Sequence, residues 1–134
     1  MRVLIADDDR LVCTMLSIFV EECGHEVVGA ISAGGLAVMK AFADSQPDAV
    51  LLDVMMPRCN GFTVCHALKS RNPEAKVIFM SGMVDPTHPY VTNCHANGFL
   101  QKPMRLQHLR SMLDSLTEKP AEIPAQAEVQ AQAA

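Results

Sequence analysis

The sequence has no excess of basic residues. Its 11 Lys and Arg stand against 15 Asp and Glu, a net charge of −4. That argues against nucleic acid as a direct partner, because phosphate backbones are held by basic patches. Long apolar runs are also missing. Only Val3 to Ala6 precede a group of acids, which is too short for a signal peptide. Nothing approaches the roughly 18 apolar residues of a membrane span. A cytoplasmic protein, with no membrane partner, is expected. The five cysteines, at 13, 23, 59, 65 and 94, are odd in number and irregularly spaced, so they form no disulfide framework. They are expected as reduced thiols acting as small hydrophobes. Cys59 and Cys65-His66 lack the close Cys-x2-Cys spacing of zinc or haem sites, and no two histidines stand four apart. There is no Gly-x-Gly-x-x-Gly, no Walker loop and no solenoid repeat.

What is present is enough for one packed domain. The chain has 134 residues, 49% of them apolar and 19% charged. Short apolar runs recur at Val3–Ala6, Val27–Ala30, Ala49–Leu52, Val77–Met80 and Gly98–Leu100. They lack strict alternation, as strands buried on both faces of a parallel sheet do. Helical spacing lies between them. Leu11, Met15, Ile18, Phe19 and Glu22 predict a first helix stopped at Gly24. Leu36, Met39 and Phe42-Ala43 predict a second, ending before Pro47. Val64, Cys65 and Leu68 predict a third, ending at Asn72-Pro73, and Leu106, Leu109, Leu113 and Leu116 a last one, with Pro120 beyond it. The fourth is the least regular: Asp85-Pro86 offers a cap and first position, but Pro89 and the Thr- and Asn-containing run after it form helix poorly. Five strands alternating with five helices predict a three-layer α/β domain with right-handed crossovers. Residues 118–134, rich in Ala, Gln and Pro, are expected to be a flexible tail or linker stub.

In a doubly wound sheet, ligands bind beyond the carboxyl ends of the strands. The first strand ends in Asp7-Asp8-Asp9, the third in Asp53, the fourth in Ser81-Gly82 and the fifth in Gln101-Lys102-Pro103. If strands one and three are neighbours, their carboxylates crowd and repel. A hard divalent cation removes that conflict, and Mg²⁺ typically pairs with a phosphate. A hydroxyl and an ammonium facing the same spot complete a phosphoryl site. A carboxylate can itself be the nucleophile and form an aspartyl phosphate.

Over residues 2–117 the chain resembles the receiver (CheY-like) domain of two-component response regulators. The matching segments are Val3-Leu4-Ile5-Ala6-Asp7-Asp8-Asp9, Leu51-Leu52-Asp53-Val54-Met55-Met56-Pro57 with Gly61, Val77-Ile78-Phe79-Met80-Ser81-Gly82, and Ala96-Asn97-Gly98-Phe99-Leu100-Gln101-Lys102-Pro103. The resemblance implies a receiver domain over 1–117 with a (βα)5 fold and strand order 2-1-3-4-5. It implies Asp53 as phosphoacceptor and Mg²⁺ (or Mn²⁺) held by Asp8, Asp53, the backbone carbonyl of Met55 and, through water, Asp7. Ser81 and Lys102 would contact the phosphoryl group, Phe99 would be the aromatic switch, and the Lys102–Pro103 bond would be cis. The donor would be a sensor histidine kinase or phosphotransfer protein. The signal would pass through the α4-β5-α5 face to a downstream protein, to an output domain missing from this sequence, or to a second copy in a homodimer. Tyr90, Arg105 and His108 are candidate contacts there. Such a domain is a signalling phosphoacceptor, not a conventional turnover enzyme.

Several positions depart from the commonest pattern. Asp9 extends the acidic pair and is expected to cap the first helix. Ser81 stands for the commoner Thr and keeps the hydroxyl. Met55 and Met83 lie two residues beyond Asp53 and Ser81, where polar residues are frequent. His95 stands where Gly is frequent. Three other readings fit the sequence less well. A haloacid dehalogenase-like phosphohydrolase shares the aspartyl phosphate, and Asp7-Asp8-Asp9 contains its Asp-x-Asp, but it needs a further acidic pair after its lysine. Here the next acids after Lys102 are the isolated Asp114 and Glu118. A flavodoxin-type binder needs a phosphate loop after the first strand, where three acids would repel the phosphate. A degenerate receiver used only for docking would not need the complete acid–Asp–Ser–Lys set.

Overall fold

The computed structural model describes residues 1–56, 60–83 and 87–117, except the side chain of Tyr90. The expected tail at 118–134, the Asp85-Pro86 cap, Pro57, Cys59 and Tyr90 as a contact therefore lie outside the described residues.

The elements alternate as β1 (Arg2–Ala6), α1 (Arg10–Glu22), β2 (Glu26–Ile31), α2 (Gly35–Ser45), β3 (Ala49–Asp53), α3 (Gly61–Arg71), β4 (Lys76–Ser81), α4 (Pro89–Asn93), β5 (Gly98–Gln101) and α5 (Leu106–Thr117). All strand pairs are parallel, in the order β2-β1-β3-β4-β5. Successive side chains of a strand point to opposite faces, so the central strands feed two cores. Leu4, Val50, Leu52, Val77 and Phe79 meet Val38 and Phe42 of α2 and Val64, Cys65 and Leu68 of α3. Val3, Ile5, Leu51, Ile78 and Met80 meet Cys13, Leu16 and Val20 of α1 and Leu109 and Leu113 of α5. No helix among the described residues is long and apolar enough to cross a membrane.

Local chemistry sets the boundaries. The Asp9 carboxylate accepts the Leu11 N–H at 2.9 Å and caps α1, as its sequence position predicts. Asn60 caps α3 through the Thr63 N–H at 2.9 Å. Gly24, at φ +88°, turns the chain out of α1. The short α4 begins at Pro89 itself, in the first turn, where a missing N–H costs nothing. His95 adopts φ +58°, which explains why Gly suits that position.

Three expectations need correction. The buried stripe of α1 is Cys13, Leu16 and Val20, whereas Leu11 is 79% exposed and Ile18 is also exposed. Leu11 and Ile18 share a line about 200° around the helix from Cys13. The helix carries two apolar stripes, and the sheet selects the one with the smaller side chains. On α2 the inward residues are Val38 and Phe42, while Leu36 is 88% exposed. β2 is not buried on both faces, because it is an edge strand with only β1 beside it.

Candidate functional site

The strand order brings the ends of β1, β3, β4 and β5 side by side. Asp7 follows β1 and is anchored by its own N–H to the Ile31 carbonyl at 3.1 Å. Asp53 ends β3, Ser81 ends β4, and Lys102 follows β5 with its N–H on the Ser81 carbonyl at 2.9 Å. Asp7, Asp53 and Ser81 are the buried polar side chains of the described fold. Burying ionisable groups is costly unless they are paired, and here Lys102 is the counter-charge of both carboxylates. The Lys102 ammonium donates to Asp7 Oδ2 at 2.7 Å and lies 3.4 Å from Asp53 Oδ2. The other oxygen of each carboxylate takes a backbone donor two residues on. The Asp9 N–H reaches Asp7 Oδ1 at 2.9 Å, and the Met55 N–H reaches Asp53 Oδ1 at 3.0 Å. Ser81 Oγ accepts the Met83 N–H at 3.0 Å. Each carboxylate or hydroxyl therefore sits in a local turn that fixes its direction.

Electrostatics mark Asp53. Burial pushes its carboxyl up to about 6, the Met55 N–H opposes this, the Asp7 charge adds to it and Lys102 offsets part. Burial alone would lower the Lys102 ammonium, but its bond to Asp7 and the charge of Asp53 raise it above the ordinary lysine value. The folded chain thus holds a proton on Asp53 more tightly than the unfolded chain does. Between about pH 4 and 6 this site binds more proton in the folded chain than in the unfolded one, so its contribution to stability falls as pH rises through that window. A shift of that size corresponds to about 3 kcal/mol. In the presence of EDTA, Asp53→Asn is expected to unfold at higher urea than wild type at neutral pH, by up to about 3 kcal/mol, and to lose this slope. Equal urea midpoints across the pH range would contradict the assignment.

One carboxylate oxygen each from Asp7, Asp8 and Asp53 lie within 4.8 Å of one another. Asp8 is exposed and opens the cluster to solvent. An all-oxygen donor set with surplus negative charge and water access suits a hard divalent cation such as Mg²⁺. Phe99 pairs with Phe79 in the β4–β5 register and is half-buried against the core on the α2/α3 side. The Lys102–Pro103 bond is cis. Met55 is 55% exposed and Met83 83% exposed.

Two supports of the site were not foreseen from the residue types. The Cys13 thiol donates to the Asp7 carbonyl at 3.3 Å, and no sequence signal marks that contact. Gly61 donates its N–H to the Val54 carbonyl at 2.7 Å, and a Cβ there would lie 2.6 Å from the Asp53 carbonyl oxygen. The sequence pattern includes Gly61, but the close approach is visible only in three dimensions.

The response regulator receiver domain model matches residues 3–114. A response regulator MprA from Mycobacterium sp. (strain KMS) is 31% identical over 120 residues, covering 88% of this chain and 51% of that protein. The DNA-binding dual master transcriptional regulator RpaA of Synechocystis is 28% identical over 128 residues, covering 92% and 52%. The chain thus spans about half the length of these curated relatives. Among solved structures, the signal receiver domain of a DNA-binding response regulator from Colwellia psychrerythraea superposes with a TM-score of 0.79 at 26% identity, covering 89% of this chain and 99% of that one. The haloacid dehalogenase reading is not favoured by these matches. Sequence model, relatives and sheet order agree: the chain belongs to the response regulator receiver domain family of two-component signal transduction.

Proposed function

We propose that this chain is a phosphoacceptor that takes a phosphoryl group on Asp53 from the phosphohistidine of a sensor histidine kinase or phosphotransfer protein. The observation that carries this is the buried Asp53 carboxylate at the carboxyl end of the central strand β3, 3.4 Å from the Lys102 ammonium and clustered with Asp7 and Asp8. A carboxylate oxygen of Asp53 attacks phosphorus in line. The O–P bond forms as the P–N bond to the donor imidazole breaks, and the imidazole leaves with that electron pair. Ser81 donates a hydrogen bond and Lys102 a positive charge to the phosphoryl oxygens. Asp8, Asp53, the Met55 carbonyl and, through water, Asp7 would hold Mg²⁺ (or Mn²⁺), which supplies charge neutralisation of the phosphoryl oxygens.

The new group adds roughly −1.5 to −2 charge beside Lys102 and Ser81. Both gain a reason to turn inward, and Ser81 moving makes room for Phe99. This biases an existing two-state balance by the difference in contact energy between the states. The readout face is α4, β5 and α5, toward a protein target or an output domain. The domain assists its own phosphorylation and dephosphorylation but is no conventional turnover enzyme. Intact-mass analysis after acetyl phosphate treatment, with Mg²⁺ and with EDTA, tests this. One phosphoryl adduct with Mg²⁺ and none with EDTA is expected; no adduct in either, or equal adducts in both, contradicts it.

The two methionines frame the approach of water to the phosphorylated state. Replacing them by polar groups, Met55→Asn with Met83→Glu, is expected to change the decay rate of the phosphorylated chain several-fold, because polar side chains can orient the attacking water. An unchanged decay rate in the double variant would show that they play no part.

A further inference from the structure

The chain has nine methionines. Met56, Met80 and Met104 are buried in the cores, and four more are half-buried against them. The two exposed ones are Met55 and Met83, and both border the same site. Met55 stands two residues beyond Asp53 at the end of β3, and Met83 two beyond Ser81 at the end of the neighbouring β4. Each is held there by its own N–H, on Asp53 Oδ1 and on Ser81 Oγ, both at 3.0 Å. The exposed thioethers are thus gathered at the end of the sheet that carries the buried Asp53 carboxylate and Lys102. A thioether in a packed core is shielded from oxidants, whereas one in solvent is open to conversion into a polar sulfoxide.

We propose that Met55 and Met83 form a reversible oxidation site, converted to sulfoxides by a peroxide, that shortens the life of the phosphorylated state. This rests on the phosphoacceptor reading and adds a regulation of the same site. In the step, the thioether sulfur attacks one oxygen of hydrogen peroxide. The S–O bond forms as the O–O bond breaks, and the proton on the transferred oxygen passes to the departing hydroxide, which leaves as water. Sulfur loses two electrons and the peroxide gains them. A thioether is a weak acceptor of hydrogen bonds, and the sulfoxide oxygen is a polar one. Oxidation therefore places polar groups that orient water where the chain now has apolar ones. Both sulfoxides would stand in solvent, so the cores are left intact. The described thiols are poor competitors for the oxidant. Burial pushes Cys13, Cys23, Cys65 and Cys94 above the ordinary cysteine value, which keeps them from the reactive thiolate form.

The test treats the full chain with dilute hydrogen peroxide, then with dithiothreitol to reverse any sulfenic acid or disulfide, and maps added oxygen by peptide mass spectrometry. Met55 and Met83 are expected to gain oxygen before Met56, Met80 and Met104, with the fold retained by circular dichroism. The oxidised and untreated chains are then labelled with acetyl phosphate and Mg²⁺, and loss of the phosphoryl group is followed by intact mass. Decay is expected to be several-fold faster after oxidation and to return to the untreated rate after methionine sulfoxide reductases of both epimer specificities. A Met55→Leu, Met83→Leu double variant should decay alike with and without peroxide. Oxygen spread evenly over the methionines would overturn the proposal. So would faster decay that persists in peroxide-treated double variant. The mapping does not depend on phosphorylation, so the two readings fail differently. A chain that labels but decays alike before and after oxidation rejects this proposal alone. A chain that oxidises as expected but takes no phosphoryl group when untreated rejects the phosphoacceptor reading, and this proposal with it.

Discussion

Asp53→Asn is expected to take up no phosphoryl group from acetyl phosphate under conditions that label the wild-type chain. The asparagine is nearly the same shape, and its amide oxygen can still accept the Met55 N–H now bound at 3.0 Å. The fold is therefore retained, and relief of carboxylate repulsion should increase stability in EDTA. What is lost is the proposed nucleophile, because an amide does not attack phosphorus as a carboxylate does. The neighbouring carboxylates are poor substitutes. Asp7 is fully buried with Oδ1 on the Asp9 N–H and Oδ2 on Lys102. Asp8 is exposed and lacks the buried setting of Asp53. Labelling of the variant at a level comparable to wild type would reject the site assignment.

Gly61→Ala carries the second large effect. The added Cβ would stand 2.6 Å from the Asp53 carbonyl oxygen and 2.7 Å from the Val54 Cα. Both are backbone, at the end of a central strand buried throughout, so neither can swing aside as a side chain would. Either α3 withdraws or the end of β3 is displaced. The expected cost is about 2 kcal/mol, within the range for overpacking and net of the better helix propensity of Ala. Because the displaced residue is the proposed phosphoacceptor, the labelling rate should also fall. Gly98→Ala is the control. Its Cβ would meet the Met112 Sδ at 2.5 Å, but that is the end of a flexible thioether, which can move. Urea denaturation should show a clearly larger loss for Gly61→Ala than for Gly98→Ala. Equal losses, or a Gly61→Ala chain with wild-type stability and labelling, would refute the close-approach account.

Much of this fold is legible in the sequence, and the reason is local. Val3–Ala6, Ala49–Leu52 and Val77–Met80 are short apolar runs buried on both faces, and such runs signal central parallel strands without tertiary information. The site is legible for a related reason. Asp7, Asp53 and Ser81 each follow directly on one of these runs, Lys102 directly follows β5, and a parallel sheet brings those carboxyl ends to one end of the sheet. What could not be read depends on which surface the rest of the chain covers. The two apolar stripes of α1 compete until the sheet chooses Cys13, Leu16 and Val20 over Leu11 and Ile18. Leu36 reads as core but stands in the first turn of α2 facing outward. β2 has the composition of a buried strand, and only the strand order makes it an edge. The proton affinity of Asp53 is likewise set by burial and by Asp7, 46 residues away in sequence.

The central claim is that Asp53 receives the phosphoryl group. It is tested most directly by labelling the full chain with acetyl phosphate and Mg²⁺, reducing the acyl phosphate with borohydride, and locating the reduced residue by tandem mass spectrometry. The account predicts reduction at Asp53, and no reduced residue when the Asp53→Asn chain is treated alike. Reduction at Asp7 instead, or an unchanged signal in the variant, would contradict it.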